Sequence, residues 1–291
     1  MSQSVPQNEP ARIPRDTYPI VRISAEFFLR GVDLLTQVQG DKLISGLIFM
    51  TVWQGQMRDP TGPPVSVREL APRLTLPYET VRRHAVELAR AGQCSNTSGG
   101  IAVPRAVLKR RSNAEVLRKI YLNAERMLVE LTRAGIARFS APSAPVARNG
   151  RLSPEQMTIA GAAMGRLLAG IRLLGDFWNG DVLRGLVFTA MWTANVKHVT
   201  NTAPAASQTV LPDDQRLPVS ILAISNSLRL PYETVRRHVI ALEKAGTCRR
   251  VGRQGLIVPA SVHRKLAAGA VLIHGLITAL LAELRRAGIK V

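Results

Sequence analysis

The alternation of apolar and polar positions predicts a chain built mainly from amphipathic helices. Val81, Ala85 and Leu88 are spaced so that they fall on one face of an α-helix. The same spacing recurs later in the chain at Val235, Val239 and Leu242. Each of these two helices is therefore expected to bury an apolar face and to expose a polar one.

These two helices belong to an internal repeat. The sequence LPYETVRRH occurs at residues 76–84 and again 154 residues later, at 230–238. Further matches join VSVRELAPRLT (65–75) to VSILAISNSLR (219–229) and GLIFMTVW (46–53) to GLVFTAMW (185–192), the last pair at an offset of 139 residues. Because the repeat is as long as a domain, it predicts the duplication of a whole folding unit.

The repeat divides the chain into four segments. We expect an unfolded tail at residues 1–18, a first domain at 19–137, a linker at 138–152 and a second domain at 153–291. The Pro, Ala, Ser and Arg content of ARFSAPSAPVARNGR is typical of a linker. Ser153 and Gln156 then predict a capping box at the start of the second domain, with Pro154 at the first helical position.

Each repeated unit predicts a helix, a turn, a second helix and a β-hairpin. In the first copy, Ser66 and Glu69 can form a capping box, and Pro77 is expected at the first position of the second helix. Short runs around glycine-containing turns then predict hairpins that end at Pro104 and, in the second copy, at Pro259.

A family resemblance rests on a set of residues in the first copy: Leu70, Ala71, Leu74, Thr80, Val81, Arg82, Arg83, Leu88 and Gly92. Their pattern resembles the DNA-binding module of bacterial winged helix-turn-helix regulators, near the GntR, IclR and MarR groups. The resemblance covers residues 65–104 and 219–259. It implies a mainly α fold with small β-hairpin wings, in which two tandem winged helix-turn-helix domains form a pseudo-dimer. The long flanking helices are similar to those of the MarR dimer interface, and assembly of two chains into a homodimer stays open.

The charge balance favours a polyanionic partner. The chain has 39 Lys and Arg against 20 Asp and Glu, a formal net charge of +19, and a sequence pI of about 11.3. Such a surface attracts nucleic acid through counterion release and electrostatic steering. Double-stranded DNA is therefore the leading partner, ahead of an anionic membrane surface.

The second helix of each unit carries the residues expected to contact DNA. A major groove about 12 Å wide accepts one α-helix, and the N-terminal residues of that helix reach base edges. Guanine or phosphate contacts are expected from Arg82, Arg83, Arg236 and Arg237. Contacts with phosphate or a thymine methyl are expected from Tyr78 and Tyr232, and phosphate contacts from Thr80 and Thr234. Two acids either read cytosine or pair with an arginine four residues on: Glu79 with Arg83, and Glu233 with Arg237.

The two hairpins differ in charge although the two helices do not. The second hairpin carries Arg249, Arg250 and Arg253, which suit a phosphate or minor-groove contact, whereas the first, SNTSGG, is neutral. Because the helices match, we expect similar half-sites about one helical turn, ~34 Å, apart. Because the hairpins do not, we expect the second half to contribute more of the electrostatic affinity.

Other reactive side chains have structural interpretations. His84 and His238 are expected to be half-buried against the first helix of each unit. Cys94 and Cys248 are expected to act as small buried apolar residues, with a redox role as the alternative. The tryptophans favour core packing, with a hydrophobic effector pocket between the domains as the alternative: Trp53, Trp178 and Trp192. No metal-ligand spacing, cofactor motif or enzyme motif is recognised.

One apolar segment is long enough to span a bilayer, residues 266–284. Its counterpart in the first half, AEVLRKIYLNAERMLVELTRAGI, is a charged amphipathic helix, so we expect a helix buried between domains or subunits and no membrane partner. Two cysteines and the lack of a leader-like N-terminus indicate a reducing cytoplasm.

The leading functional hypothesis is a sequence-specific transcription regulator that reads a pseudo-palindromic operator and could contact RNA polymerase. Two alternatives are a plasmid-type replication initiator and a nucleoid or chromosome-organising protein with tandem winged helices. Identical recognition segments count against the initiator, since its two modules usually diverge. The doubled arginines count against a purely protein-binding scaffold.

Overall fold

The protein was analysed as a computed structural model, which describes residues 14, 16–40, 42–142, 151–199 and 210–291, except for the side chains of residues 263–265. In this part of the chain the fold is mainly α-helical, with two small antiparallel two-stranded hairpins. The first half contains α1 (Thr17–Val38), α2 (Leu43–Arg58), α3 (Val67–Leu74), α4 (Tyr78–Arg90), β1 (Ser95–Thr97), β2 (Gly100–Ala102), α5 (Arg105–Leu108) and α6 (Arg111–Arg133). The second contains α7 (Pro154–Phe177), α8 (Val182–Val196), a 3-10 turn (Asp213–Gln215), α9 (Ile221–Leu228), α10 (Tyr232–Lys244), β3 (Arg249–Val251), β4 (Gly255–Ile257), α11 (Ala260–Lys265) and α12 (Ala267–Arg286).

Two of the predicted segment boundaries can be compared with helix starts in the structure. Helix α1 begins at Thr17, so Thr17 and Tyr18 belong to a helix and not to a tail that ends at residue 18. Most of residues 1–16, and residues 143–150 of the expected linker, lie outside the described part of the chain. Helix α7 begins at Pro154 behind a capping box of Ser153 and Gln156, as predicted.

Side-chain caps explain where the short helices begin. The hydroxyl of Ser66 accepts a hydrogen bond from the Glu69 amide at 3.2 Å, and the Glu69 carboxylate accepts one from the Ser66 amide at 3.1 Å, which confirms the predicted capping box. Ser220 caps α9 through the Ala223 amide. Pro77 stands one residue before α4, whereas the sequence predicted it at the first position of that helix.

Each hairpin packs against the helices that precede it. The apolar faces of α4 and α10 are buried at the positions predicted: Val81, Ala85 and Leu88, and Val235, Val239 and Leu242. A bridge between Val65 and Ile101 adds a third extended segment beside the first hairpin. The bridge between Val219 and Leu256 does the same in the second half. Helix, turn, helix and hairpin thus form one packed unit in each half.

Four long helices join the two halves. Helices α1 and α6 pack together in the first half, and α7 and α12 pack together in the second. Between the halves, α6 contacts α7 and α12 contacts α1, while α2 contacts α7 and α8 contacts α1. Each of these helix contacts between the halves therefore has a counterpart in which the two halves exchange roles.

The reciprocal packing of the two halves is also visible in the contacts of two glycines. A β-carbon on Gly31 would overlap the side chain of Leu167, and one on Gly170 would overlap Phe28. Gly31 and Gly170 are 139 positions apart, as are Phe28 and Leu167, which is the offset that relates α2 to α8. The close approach of α1 and α7 is thus reciprocal, as in an interface between two copies of one protein.

Two helices are long and apolar enough, by length and composition alone, to cross a membrane. They are α7 and α12, with mean hydropathy of 1.4 and 1.8 over their most apolar windows. Helix α12, expected to be buried between domains, packs on α1 and α7 but has only 22% of that window buried. Leu272 on this helix is 49% exposed.

Candidate nucleic-acid interface

Helices α4 and α10 present the same side chains to solvent at their N-terminal ends. Tyr78 is 53% exposed and Tyr232 is 44% exposed, although tyrosine is a large and mostly apolar residue. The glutamates and arginines of the predicted site are exposed as well: Glu79, Arg82, Arg83, Glu233, Arg236 and Arg237. Thr80 and Thr234 are half-buried, so they contribute less surface than predicted.

The acid of each helix pairs with the first arginine and not with the second. The Glu79 carboxylate accepts hydrogen bonds from the Arg82 guanidinium at 2.6 to 3.1 Å. The Glu233 carboxylate accepts one from Arg236 at 2.8 Å. The predicted pairing four residues on is therefore wrong: the contacts are three residues apart, which the helix also brings together. Hydrogen bonding to Arg82 lowers the pKa of Glu79, and the acids raise the pKa of Arg82 and of Arg236.

The second arginine of each pair is the more available cation. Arg83 and Arg237 are exposed, and within the described residues neither forms an ion pair with a carboxylate. To bind an anion, Arg82 would have to give up its hydrogen bonds to Glu79, and Arg236 its hydrogen bond to Glu233. The two positions that look equivalent in the sequence therefore differ in electrostatic environment.

Most of the arginines in the second hairpin are engaged within the protein. Arg249 lies 3.1 Å from the Asp213 carboxylate, and Arg250 lies 2.9 Å from Glu243 at the end of α10. Arg253, at the tip of the hairpin, is exposed. The charge of this hairpin that is free to bind an anion is therefore smaller than its three arginines suggest, because two of them are in ion pairs.

The first half has a basic segment that the comparison of hairpins missed. Four exposed cations follow its neutral hairpin: Arg105, Lys109, Arg110 and Arg111. Arg110 reaches back to the Gln93 side chain and the Gly92 carbonyl, at the C-terminal end of α4. The run LKRRS was the available signal, since it lies shortly after the proline that ends the hairpin.

A side-chain amide anchors each hairpin to the helix that precedes the repeated unit. Gln56 on α2 donates to the Val103 carbonyl at 3.1 Å and accepts from the Val103 amide at 2.9 Å. Asn195 on α8 donates to the Leu256 and Leu217 carbonyls and accepts from the Val258 amide at 2.8 Å. Gln56 and Asn195 are 139 positions apart, so the duplication preserved the function of the amide but not the residue type.

The turn between the two helices of each unit rests on the opposite half. Thr75 and Arg229 end α3 and α9 in the left-handed conformation, with φ of 53° and 52°. Arg229 pairs with Asp33 of α1 at 2.5 Å, and the Thr75 hydroxyl lies 3.5 Å from the Arg172 carbonyl of α7. The long helices of one half therefore hold the turn of the other.

The histidines that follow the arginines are half-buried, as predicted. His84 Nδ1 lies 3.0 Å from the Ser45 hydroxyl on α2, the helix that precedes the repeated unit. His238 Nδ1 lies 3.6 Å from the Asp181 carboxylate at the start of α8. Burial lowers the pKa of both imidazoles. These residues belong to the packing behind the exposed face.

Both cysteines are buried and free. Burial raises the pKa of Cys94 and of Cys248 to about 12, which keeps both thiols protonated and unreactive at neutral pH. No cluster of three or more metal-ligating side chains occurs among the residues that the structure describes. Trp53 is buried against Phe49, while Trp178 and Trp192 line an apolar cavity.

Comparison with known proteins adds no family to this description. A scan of protein-family models, a search of curated proteins and a search of solved structures each returned no match to the chain.

Proposed function

We propose that this protein is a sequence-specific DNA-binding transcription regulator in which two tandem winged helix-turn-helix domains, fused in one chain, form a pseudo-dimer. One observation carries the proposal. Two equivalent helices expose the same N-terminal set of tyrosine, glutamate and two arginines, on a chain with a net charge of +19. A solvated helix face has no physical need for that set to recur in both halves.

The shape of each unit supports this function. A helix, a tight turn and a second helix, followed by a hairpin extended by one bridge, resembles the winged helix-turn-helix arrangement. The exposed face of α4 or α10 has the width of a single helix, which the major groove accepts. The hairpin tip, with Arg253 in the second half, would then lie over phosphates or the minor groove.

The reciprocal contacts between the halves support the pseudo-dimer. Gly31 and Leu167 exchange roles with Gly170 and Phe28, which is the rule for a two-fold interface. A two-fold arrangement of two identical reading helices suits two inverted half-sites about one helical turn apart. Fusion into one chain removes the entropic cost of bringing two separate DNA-binding domains together.

The electrostatics assign different roles to the two arginines of each helix. Arg83 and Arg237, which lack an acidic partner in the described structure, are the leading candidates for guanine or phosphate contacts. Arg82 and Arg236 are held by Glu79 and Glu233, so each of these pairs can act as a unit that donates to one base and accepts from another. Tyr78 and Tyr232 supply phosphate or thymine-methyl contacts at the helix ends.

The rest of the proposal follows from this role. The protein would act in the cytoplasm on the nucleoid, without catalysis, cofactor or membrane partner, and would regulate transcription by blocking a promoter or by contacting RNA polymerase. A further homodimer of chains is compatible with the exposed apolar residues of α12.

Binding of mixed genomic duplexes, measured by fluorescence anisotropy over a salt series, tests the interface directly. Replacement of Arg83 and Arg237 by alanine should weaken binding. The slope of log affinity against log salt concentration should decrease in magnitude by about one for each phosphate that is no longer bound. The matched control replaces Arg133 and Arg286, exposed arginines near the ends of α6 and α12, and changes the net charge equally. If both double variants weaken binding to the same extent, general charge and not this face holds the DNA.

A further inference from the structure

An apolar cavity of about 150 Å³ lies between α1, α7, α8 and the segment from α11 to α12. Five aromatic side chains contribute to its lining: Phe28, Phe177, Trp178, Phe188 and Trp192. The rings of Trp178 and Phe188 are 5.2 Å apart, within the range of direct aromatic contact. The cavity therefore offers flat apolar surfaces on several sides.

The two hydroxyl groups of the lining already have partners within the protein. The Ser24 hydroxyl donates to the Val21 carbonyl at 3.2 Å, and the Thr189 hydroxyl donates to the Gly185 carbonyl at 2.9 Å. No charged side chain of the described residues lines the cavity. Because a charge placed against this described lining would lose its hydration without gaining a partner, the lining favours a neutral molecule.

The two halves differ at this place although their packing is otherwise reciprocal. Phe188 and Thr189 line the cavity and are partly exposed. Their counterparts at the offset of 139 residues, Phe49 and Met50, are fully buried at 0% exposure. Met50 is also larger than Thr189, so at this position the first half has a bigger side chain that is closed off from solvent and the second half has a smaller one that is not.

We propose that this cavity in the second half is a binding site for a small neutral aromatic molecule of one or two rings. The cavity is partly open to solvent, as the 37% exposure of Phe177 shows, so an apolar ligand that binds there removes apolar surface from water and gains dispersion contacts with the lining. A cavity of about this volume holds a benzene-sized guest in another protein. The aromatic lining favours a planar guest that packs edge-to-face or offset against the rings. This site does not depend on the proposed DNA-binding role.

Ligand-detected NMR and tryptophan fluorescence on the full chain test the site, with toluene, indole and naphthalene as probes. We expect saturable binding of at least one probe, with a change in the emission of Trp178 and Trp192, and no saturable binding of benzoate, which has the same ring and a charge. If none of the neutral probes saturates, or if benzoate binds equally well, the proposal is overturned.

A variant taken from the other half locates the binding. Thr189→Met introduces the larger residue that the first half has at this position and should weaken probe binding at least tenfold. Ala270→Leu fills the same cavity from α12 and serves if the first variant does not fold. Thr158→Met is the matched control, because Thr158 is exposed on α7 and makes the same kind of hydroxyl-to-carbonyl bond. Unchanged probe binding in a folded cavity-filling variant would contradict the assignment.

Discussion

Gly170 on α7 lies directly against the ring of Phe28 on α1, so closely that no β-carbon fits between them. The equivalent residues Gly31 and Leu167 make the reverse contact. Two helices can approach this closely only where one of them lacks a side chain, and here each helix supplies the glycine for its partner's large residue. The interface between the halves is therefore built from two copies of a single contact.

Gly170→Ala should destabilise the protein. The added methyl group would force Phe28 or the helix to move, at a cost of about 1 to 3 kcal/mol of unfolding free energy. Phe28→Ala in the same chain should recover part of this cost, because it removes the ring that the methyl group meets. Urea unfolding of the two single variants and the double variant gives the coupling between the two positions.

Gly55→Ala and Gly275→Ala serve as controls for this prediction. Both glycines lie inside helices with open space where a β-carbon would be, so alanine should stabilise by about 0.5 to 1 kcal/mol through helix propensity. A gain in stability for Gly170→Ala, as in these controls, would refute the close packing of α1 and α7.

Asn195→Ala should destabilise the second hairpin more than Gln56→Ala destabilises the first. Asn195 is fully buried and bonds to Leu217, Leu256 and Val258, whereas Gln56 is half-buried and, among the described residues, bonds to Val103 alone. Each backbone group left unpaired in the interior costs about 1 to 3 kcal/mol. Hydrogen exchange of the Val258 and Val103 amides measures the effect, and an equal drop in protection in both variants would contradict the difference in anchoring.

Stability should fall as the pH drops below about 6.5. Burial lowers the pKa of His84 and His238 in the folded protein, so the unfolded chain binds more protons once the pH falls below the ordinary histidine pKa. The free energy of unfolding should therefore rise with pH through that window and level off above it. Replacing both histidines by glutamine should flatten the profile from about pH 5 to 7, and an unchanged slope in that double variant would contradict this origin of the pH dependence.

The repeated unit was predictable from the sequence because its signals are local. The spacing of Val81, Ala85 and Leu88, the capping box at Ser66 and the glycine turns of the hairpins depend on neighbouring residues. One wrong prediction within this unit, the ion pair on α4 and α10, also concerned neighbouring residues. Glu79 reaches Arg82 instead of Arg83, a choice between two positions that a helix places almost equally near.

The arrangement of the halves was not predictable, for a different reason. Residues 28–35 of α1 (FLRGVDLL) and 167–174 of α7 (LLAGIRLL) match at four positions, which identifies the two helices as equivalent but does not show that they touch. The pairing of Arg249 with Asp213, and the cavity behind Trp192, involve residues brought together only by the packing of distant segments. The sequence alone therefore indicated that two units exist, but not how they touch.

The central claim is that the two halves read two similar half-sites, and selection of bound duplexes from a random pool tests it most directly. At ~150 mM salt, where non-specific binding is weakened, the protein should enrich two related half-sites with centres about one helical turn apart. Selection with Arg237→Ala should relax the sequence of one half-site and leave the other intact. Retention of DNA without enrichment, or no retention at all, would contradict the account, the first in favour of an architectural role and the second in favour of a protein-binding scaffold.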